Sequence, residues 1–369
     1  MGVRKVGLEE ELLLVDPATG HLVAVSSRAL RAHERRDQHS PEGLVLEKEL
    51  FAQQIETATP PSTDLAQVTR ALRESRRLVA AAAVAAGARA VAVSAPPLGD
   101  ESAQVSPDER YGRLLAEFRA VARSALACGM HVHVDVEGDE EAVAVVDRLR
   151  PWLPLLLAVS ANSPLWRGTD TGYASWRSQV WGRWPSAGQT EPFADPAGYR
   201  TAAQALIASG AAIDEAQLYW DVRLAAELPT VEVRVADVCT DVADTILVAA
   251  LARALVETTA REWAADEPLA PWRTDLLRAA HWRAARDGVD GLLVHPVSAE
   301  LVPAPEALDA VVAYTREALD HAGDLDLVAD GLERVQRSGG GAGAQRRTLV
   351  EHGSYEAVVA DLVERTARV

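Results

Sequence analysis

The sequence predicts an α+β fold: a mainly antiparallel sheet packed by helices. Strand-like segments before Asp241 are spaced by long helical stretches, and from Asp241 onward the pattern is almost wholly helical. Strands grouped ahead of a block of helices point to α+β rather than to alternating βαβ units. No linker divides the chain cleanly, so one domain over residues 1–369 is expected.

Lys5 to Val15 and Leu44 to Ile55 read as strands. Ser62-Thr63-Asp64 supplies a cap for a helix from Leu65 to Ala86, with apolar residues at Leu65, Val68, Leu72, Val79 and Ala83. Arg89 to Ala95 is a short strand stopped by Pro96-Pro97, and Asp108 to Ala127 a second helix. Met130 to Val136 alternates strictly and is a strand. Glu140 to Ser160 is apolar and helical, interrupted at Pro151 and Pro154. Residues 162–193 form a long irregular segment rich in Gly, Pro, Trp and Arg, a composition expected of a functional or partly helical loop. Tyr219 to Arg223 and Thr230 to Asp237 complete the strands. The helices that follow are Asp241 to Ala265, Thr274 to Arg286, Pro305 to His321, Leu325 to Arg337 and Tyr355 to Thr366. Ser338-Gly339-Gly340-Gly341-Ala342-Gly343 lacks the Lys-Ser/Thr ending of a phosphate loop and reads as a flexible connector.

The 369 residues are 48% apolar and 25% charged, which supports a sizeable core. A net charge of −17 argues against nucleic acid or an anionic membrane as partner. Only two cysteines, Cys128 and Cys239, argue against a disulfide framework, and the start of the chain carries no signal-peptide pattern; a cytoplasmic protein is expected. The apolar helix around Thr245 to Val256 would offer a homodimer interface.

Candidate chemistry begins at Gly7-Leu8-Glu9-Glu10-Glu11-Leu12. On a strand, Glu9 and Glu11 share one face, while Glu10 points the other way with Val6, Leu8, Leu12 and Leu14. Two neighbouring, partly buried carboxylates need a positive partner, so the choice is between an edge strand facing water and a divalent-cation site. Glu49 and Glu56, seven apart, share a face only across a bulge or bend. His131, His133 and Asp135 share a strand face, either as a hydrogen-bonded polar surface or as metal ligands. Glu232 and Arg234 form either a salt bridge or a ligand beside a phosphate-holding arginine. Arg167, Arg177 and Arg183, with Trp166, Trp176, Trp181 and Trp184, mark the irregular segment as an anchored loop or as a lid over an anionic substrate. A carboxylate-rich set suits Mg²⁺ or Mn²⁺ better than zinc.

Several segments together resemble the carboxylate–amine ligases of the glutamate–cysteine ligase type 2 family. They are Gly7-Leu8-Glu9-Glu10-Glu11 with Leu14-Val15-Asp16-Pro17, Gly129-Met130-His131-Val132-His133-Val134, and Asn162-Ser163-Pro164 with Gly168 to Ser175. Trp220-Asp221-Val222-Arg223, Pro229 to Val235 and Gly341 to Arg347 extend the similarity in order to about residue 366. The resemblance implies a glutamine-synthetase-like catalytic domain whose curved antiparallel sheet forms a funnel. It implies an ATP- and Mg²⁺- or Mn²⁺-dependent ligase in which ATP phosphorylates a carboxylate and an amine attacks the acyl phosphate, giving an amide and ADP. By position, Glu9, Glu11, Glu49, Glu56, His131 and Glu232 would bind metal, Arg234 would contact the γ-phosphate, and Arg177 would serve nucleotide or substrate binding. The partners implied are small carboxylates and amines, amino acids among them. The chain departs from the family at Leu224-Ala225-Ala226, where Pro-His-Pro is usual, and at Asp135, where glycine is expected. Glutamate and cysteine are therefore not assumed as substrates. The alternatives are a regulatory protein on a ligase scaffold and a metal-dependent hydrolase using His131 and His133.

Overall fold

A computed structural model describes residues 2–36, 43–99, 103–226 and 228–368. The first strand, β1 (Val6–Val15), is the axis of the sheet. Ten residues of alternating environment let it pair on both sides: Glu11 lies opposite Glu56 on one neighbour and Glu9 opposite His131 on the other. A helix, α1 (Ser26–Arg36), follows it. Then comes a hairpin of β2 (Val45–Lys48) and β3 (Gln54–Ala58). The single strand expected over Leu44 to Ile55 is therefore two, with the turn at Glu49 to Gln53; this turn is the bend that brings Glu49 and Glu56 to one cleft.

The cap at Asp64 is as expected: its carboxylate accepts the Ala66 N–H at 2.8 Å and starts α2 (Leu65–Ala85). Next, β4 (Arg89–Val91) pairs with the end of β1 and stops short of Ala95, because Ala92 N–H turns to Thr366 and Ser94 N–H to Asn162. The helix expected over Asp108 to Ala127 is shorter and broken. α3 (Glu109–Phe118) ends at Arg119, whose φ of 49° lies in the left-handed region, and α4 (Ala120–Arg123) is a single turn. Ala125 and Ala127 beyond it line the cleft.

β5 (Met130–Asp135) lies against β1. α5 (Asp139–Leu149) and α6 (Leu153–Ser160) are separated around Pro151, with Pro154 tolerated in the first turn of α6. The irregular segment holds a small hairpin, β6 (Leu165–Trp166) with β7 (Thr169–Asp170), and a short helix, α7 (Arg177–Trp181). After α8 (Pro196–Ala208), β8 (Val222–Leu224) and β9 (Thr230–Val233) finish the sheet, whose order is β2-β3-β1-β5-β9-β8, antiparallel at every pairing.

The helical block is α9 (Val242–Ala264), α10 (Thr274–Asp287), α11 (Ala304–Ala322), α12 (Leu325–Ser338), α13 (Gly340–His352) and α14 (Tyr355–Ala367), with a hairpin of β10 (Leu292–Val294) and β11 (Leu301–Pro303) inserted before α11. The Gly-rich run is not a flexible connector. Gly339 closes α12 in a left-handed conformation, and Gly340 to Gly343 open α13. A Cβ on Gly341 would lie 2.3 Å from Asn162 Oδ1, so close packing demands the glycine. Thr245 to Val256 of α9 are buried in the chain's own core, which corrects the expectation of a dimer interface there.

One face of β1 (Val6, Leu8, Leu12 and Leu14) joins α2, α5 and α9 in that core. Glu10 lies on this apolar face with no exposure. Its carboxylate receives Arg76 Nε and Nη2 at 2.8 and 2.7 Å and Thr245 Oγ1 at 3.0 Å. The opposite face, left uncovered by helices over β3, β1, β5 and β9, carries the acids.

Candidate active site

Strand register assembles most of the site, and the β2–β3 turn adds Glu49. Across β2, β3 and β1, Glu47, Glu56 and Glu11 are direct cross-strand neighbours. Beside them, Glu9 faces His131, and His133 faces Glu232, which in turn faces Arg223 on β8. Like charges directly opposite one another destabilise a sheet, so the row of three acids calls for cations. Glu9, Glu11, Glu49, Glu56, His131, Glu232 and Arg234 all line one cleft of about 810 Å³, and the sequence-derived set thus converges on it. His133, Arg110, Tyr111, Arg223 and Glu47 line it too. Arg223 stands in the Trp-Asp-Val-Arg segment, and only the register that sets it opposite Glu232 reveals its place in the site.

Among the described residues, two groups of side chains have the spacing to hold a metal ion. One is Glu9, Glu56 and His131, and the other is Glu9, His133 and Glu232, each with its donor atoms within 4.8 Å of one another. Glu9 is common to both: His131 Nδ1 lies 2.9 Å from its Oε2 and His133 Nε2 3.3 Å from its Oε1. Burial works against ionisation of Glu9, yet the hydrogen bonds from both histidines hold its carboxyl well below the usual range. Burial, then Arg234 and Arg223, act on Glu232, and the two guanidiniums prevail, lowering it to about 2. Arg223 Nε is 2.6 Å from Glu232 Oε2, and Arg234 contacts the other oxygen. Burial and Arg234 lower His131, keeping it neutral and able to coordinate.

The opposite wall behaves differently. Burial and the nearby Glu11 raise Glu49 to about 8, and burial with Glu49, Glu11 and Glu9 raises Glu56 well above its ordinary value. These are carboxyls whose nearest charges are other carboxylates. Together with the row of opposed acids, they fit divalent cations such as Mg²⁺ or Mn²⁺, which favour oxygen donors.

Arg177 stands elsewhere. It is 3% exposed and does not line the large cleft. Its Nη1 and Nη2 donate to the carbonyls of Val235 and Arg234 at 3.3 and 3.2 Å, and Asp237 lies 4.0 Å away. It therefore braces the strand that carries Arg234. Asp237, fully buried, accepts from Ser163 Oγ at 2.7 Å, Ser175 Oγ at 2.9 Å and Asn162 N–H at 2.8 Å, fastening the irregular segment to the sheet. Arg167 stacks on Trp166 at 4.8 Å, and of the segment's residues only Trp181 lines the cleft. The segment is an anchored wall, not an arginine-bearing lid. Asp135, an unexpected residue at its position, accepts Lys5 N–H at 2.6 Å at the sheet's end.

The model of glutamate-cysteine ligase family 2 matches residues 5–361. The chain belongs to this family. It is 48% identical over 368 residues to a Nocardioides sp. protein provisionally named glutamate–cysteine ligase 2-1, covering 99% of this chain and 96% of that one. A Streptomyces coelicolor protein, provisionally named glutamate–cysteine ligase 2, is 44% identical with 99% of both chains covered. Among solved structures, a glutamate–cysteine ligase of Francisella tularensis in complex with AMP superposes with a TM-score of 0.68 at 12% identity, over 100% of this chain and 89% of that one. A bifunctional glutathione synthetase of Pasteurella multocida gives 0.68 at 16% identity; the chain spans about half of it, 52%. The fold is thus the antiparallel, glutamine-synthetase-like ligase fold, and the family makes the chain an enzyme of the carboxylate–amine ligase kind. Among the described residues, no helix is long and apolar enough to cross a membrane.

Proposed function

We propose that this family member is an ATP-dependent carboxylate–amine ligase that makes an amide through an acyl phosphate and releases ADP, the whole chain acting as one catalytic domain. The observation that carries this is the row of opposed carboxylates Glu47, Glu56 and Glu11 sharing one cleft with the Glu232–Arg234–Arg223 cluster. Glu9, Glu11, Glu49, Glu56, His131, His133 and Glu232 would hold Mg²⁺ or Mn²⁺, which would supply charge neutralisation for the triphosphate.

The chain's own residues then have distinct tasks. Arg234, held by Glu232 and braced by Arg177, would offset the charge developing on the transferred phosphoryl group. A carboxylate oxygen of the acid attacks the γ-phosphorus and ADP leaves. The amine nitrogen then attacks the acyl carbon, phosphate leaves, and the amine proton is lost. Phe51, Leu114, Ala125, Ala127 and Tyr219 give the cleft apolar walls that limit water near the acyl phosphate. Burial of Cys128 and Cys239 as free thiols accords with a reducing, cytoplasmic setting.

The test is ADP formation with Mg²⁺ or Mn²⁺ across a panel of acids and amines, L-glutamate and L-cysteine included. Stimulation that needs both an acid and an amine supports the ligase. Hydrolysis of an amide without nucleotide would support the metal-dependent hydrolase instead, and AMP as product would contradict both.

A further inference from the structure

A second cavity of about 270 Å³ lies beyond the β8 edge of the sheet. Its walls are α8 (Tyr199, Arg200, Ala203, Gln204), the turn at Glu215 and Leu218, the start of α5 at Asp139, and the residues after β8. Arg223, Ala225 and Ala226 line both this cavity and the large cleft. Arg223 spans the boundary: Nε meets Glu232 at 2.6 Å, while Nη1 donates to the carbonyls of Ala216 and Leu218 at 3.0 and 3.3 Å. Among the described residues, the other shared boundary groups are two alanines, which add little bulk between the spaces.

We propose that this cavity receives the amine substrate of the ligase reaction, an assignment that rests on the ligase reading of the adjoining cleft. The β3–β1 side of the cleft is lined by the carboxylates that would gather metal and triphosphate, so the acyl carbon and its attacker meet toward Glu232 and Arg234, the side on which the second cavity lies. The charges of the cavity suit an amine arriving as its ammonium. Arg223 is committed to Glu232, and Arg200 lies 3.9 Å from Asp139, so these charges offset one another. The lining charges balance, two acids against two arginines, and Glu215, with no ion pair among the described residues, is the carboxylate left to receive the ammonium. The apolar faces of Pro196, Tyr199, Ala203 and Leu224 suit a body larger than the amino group itself. Of the segment that departs from the family, Ala225 and Ala226 lie on the shared wall and Leu224 lines the second cavity, which makes the segment the place where amine choice is set.

The experiment uses hydroxylamine, an amine small enough to trap an acyl phosphate as a hydroxamate without filling the cavity. Hydroxamate formation by the full chain is measured with ATP and the acid, and n-butylamine and L-cysteine are titrated in as competitors. Two variants narrow the pocket from opposite walls: Gln204→Trp on the exposed side of α8, and Ala226→Trp at the shared boundary. The ratio of the competitor's inhibition constant to the KM for hydroxylamine is expected to rise about tenfold or more in both, the discrimination worth a methylene or more of pocket. Ala205→Trp, on α8 but outside the cavity lining, should leave that ratio near the wild-type value. An unchanged ratio in both tryptophan variants, or no competition in the wild type, overturns the amine pocket while leaving the ligase intact. Absence of any hydroxamate in the wild type is a different failure, since it strikes the ligase reading itself.

Discussion

Gly129→Ala probes how the floor of the cleft is held. A Cβ there would lie 2.4 Å from Arg177 Nη2 and 3.0 Å from its Cζ. Ordinary contact begins near 3.4 Å, so the guanidinium must retreat by about 1.0 Å. It has nowhere easy to go, because it is 3% exposed and bound to the carbonyls of Arg234 and Val235. Losing both bonds costs about 2 kcal/mol and the residual crowding about 1 kcal/mol more. For a chain of this length, a total of about 3 kcal/mol lowers the melting temperature by about 4 °C. Catalysis should suffer more, since Gly129 N–H also holds Glu11 Oε2 at 2.8 Å and Arg177 braces Arg234; a displacement near 1 Å is worth about a hundredfold in rate. The assays are thermal melting and ADP formation, with Gly112→Ala as control, where a Cβ meets nothing within 4 Å and helix stability should hold or improve. The reasoning is refuted if Gly129→Ala melts like the wild type, or if truncating Arg177 as well leaves the alanine's cost undiminished.

Other expectations follow from the same contacts. Glu10→Gln leaves Arg76 as a buried, uncompensated cation and should destabilise the fold by about 3–5 kcal/mol in denaturant titrations, while Mg²⁺ affinity of the folded protein stays unchanged. Arg234→Met should lower kcat by about a hundredfold or more with little change in the KM for the amine, measured by ADP release. The raised carboxyls give a pH signature in metal-free protein. Glu49, at about 8 when folded against 4.5 unfolded, holds a proton that the unfolded chain has lost, so stability falls as pH rises toward 8. His131 is lowered and acts in the opposite sense only below its ordinary 6.5, which leaves pH 6.5 to 8 as the clean window. The melting temperature should decline across that window, less so in Glu49→Gln, and added Mg²⁺ should raise it more at pH 8 than at pH 6.5 because the ligands must shed protons to bind. A larger Mg²⁺ effect at the lower pH would count against the acid cluster as the metal site.

Much of this was legible because strands write their faces with a period of two. Glu9 and Glu11 separate from Glu10 by that rule alone, and His131 and His133 by the same one. The rule says nothing about which strands are neighbours, so the pairing of Glu11 with Glu56, and of Glu232 with Arg223, came only from the sheet register. The Glu49–Glu56 spacing required a bend, and the hairpin turn supplies it. Composition misled at Gly339 to Gly343, where glycine serves close packing against Asn162 and Asp290 rather than freedom of the chain. The helix α8 was missed because its sequence, Pro-Ala-Gly-Tyr-Arg-Thr-Ala-Ala-Gln, has little apolar periodicity; Asp195, capping it through Gly198 N–H, and Pro196 in its first turn signal its start. By position the resemblance assigns Arg177 to nucleotide or substrate binding, whereas the structure buries it on the carbonyls of Arg234 and Val235.

The central claim is that the acid is activated by phosphoryl transfer inside the carboxylate cleft. The most direct measurement places a heavy oxygen isotope in the carboxylate of whichever acid supports ADP formation and analyses the phosphate released with the amide. One labelled oxygen carried into the phosphate is the predicted result, because the acyl phosphate passes that atom on when the amine displaces it. Unlabelled phosphate accompanying labelled amide or labelled acid would contradict the account.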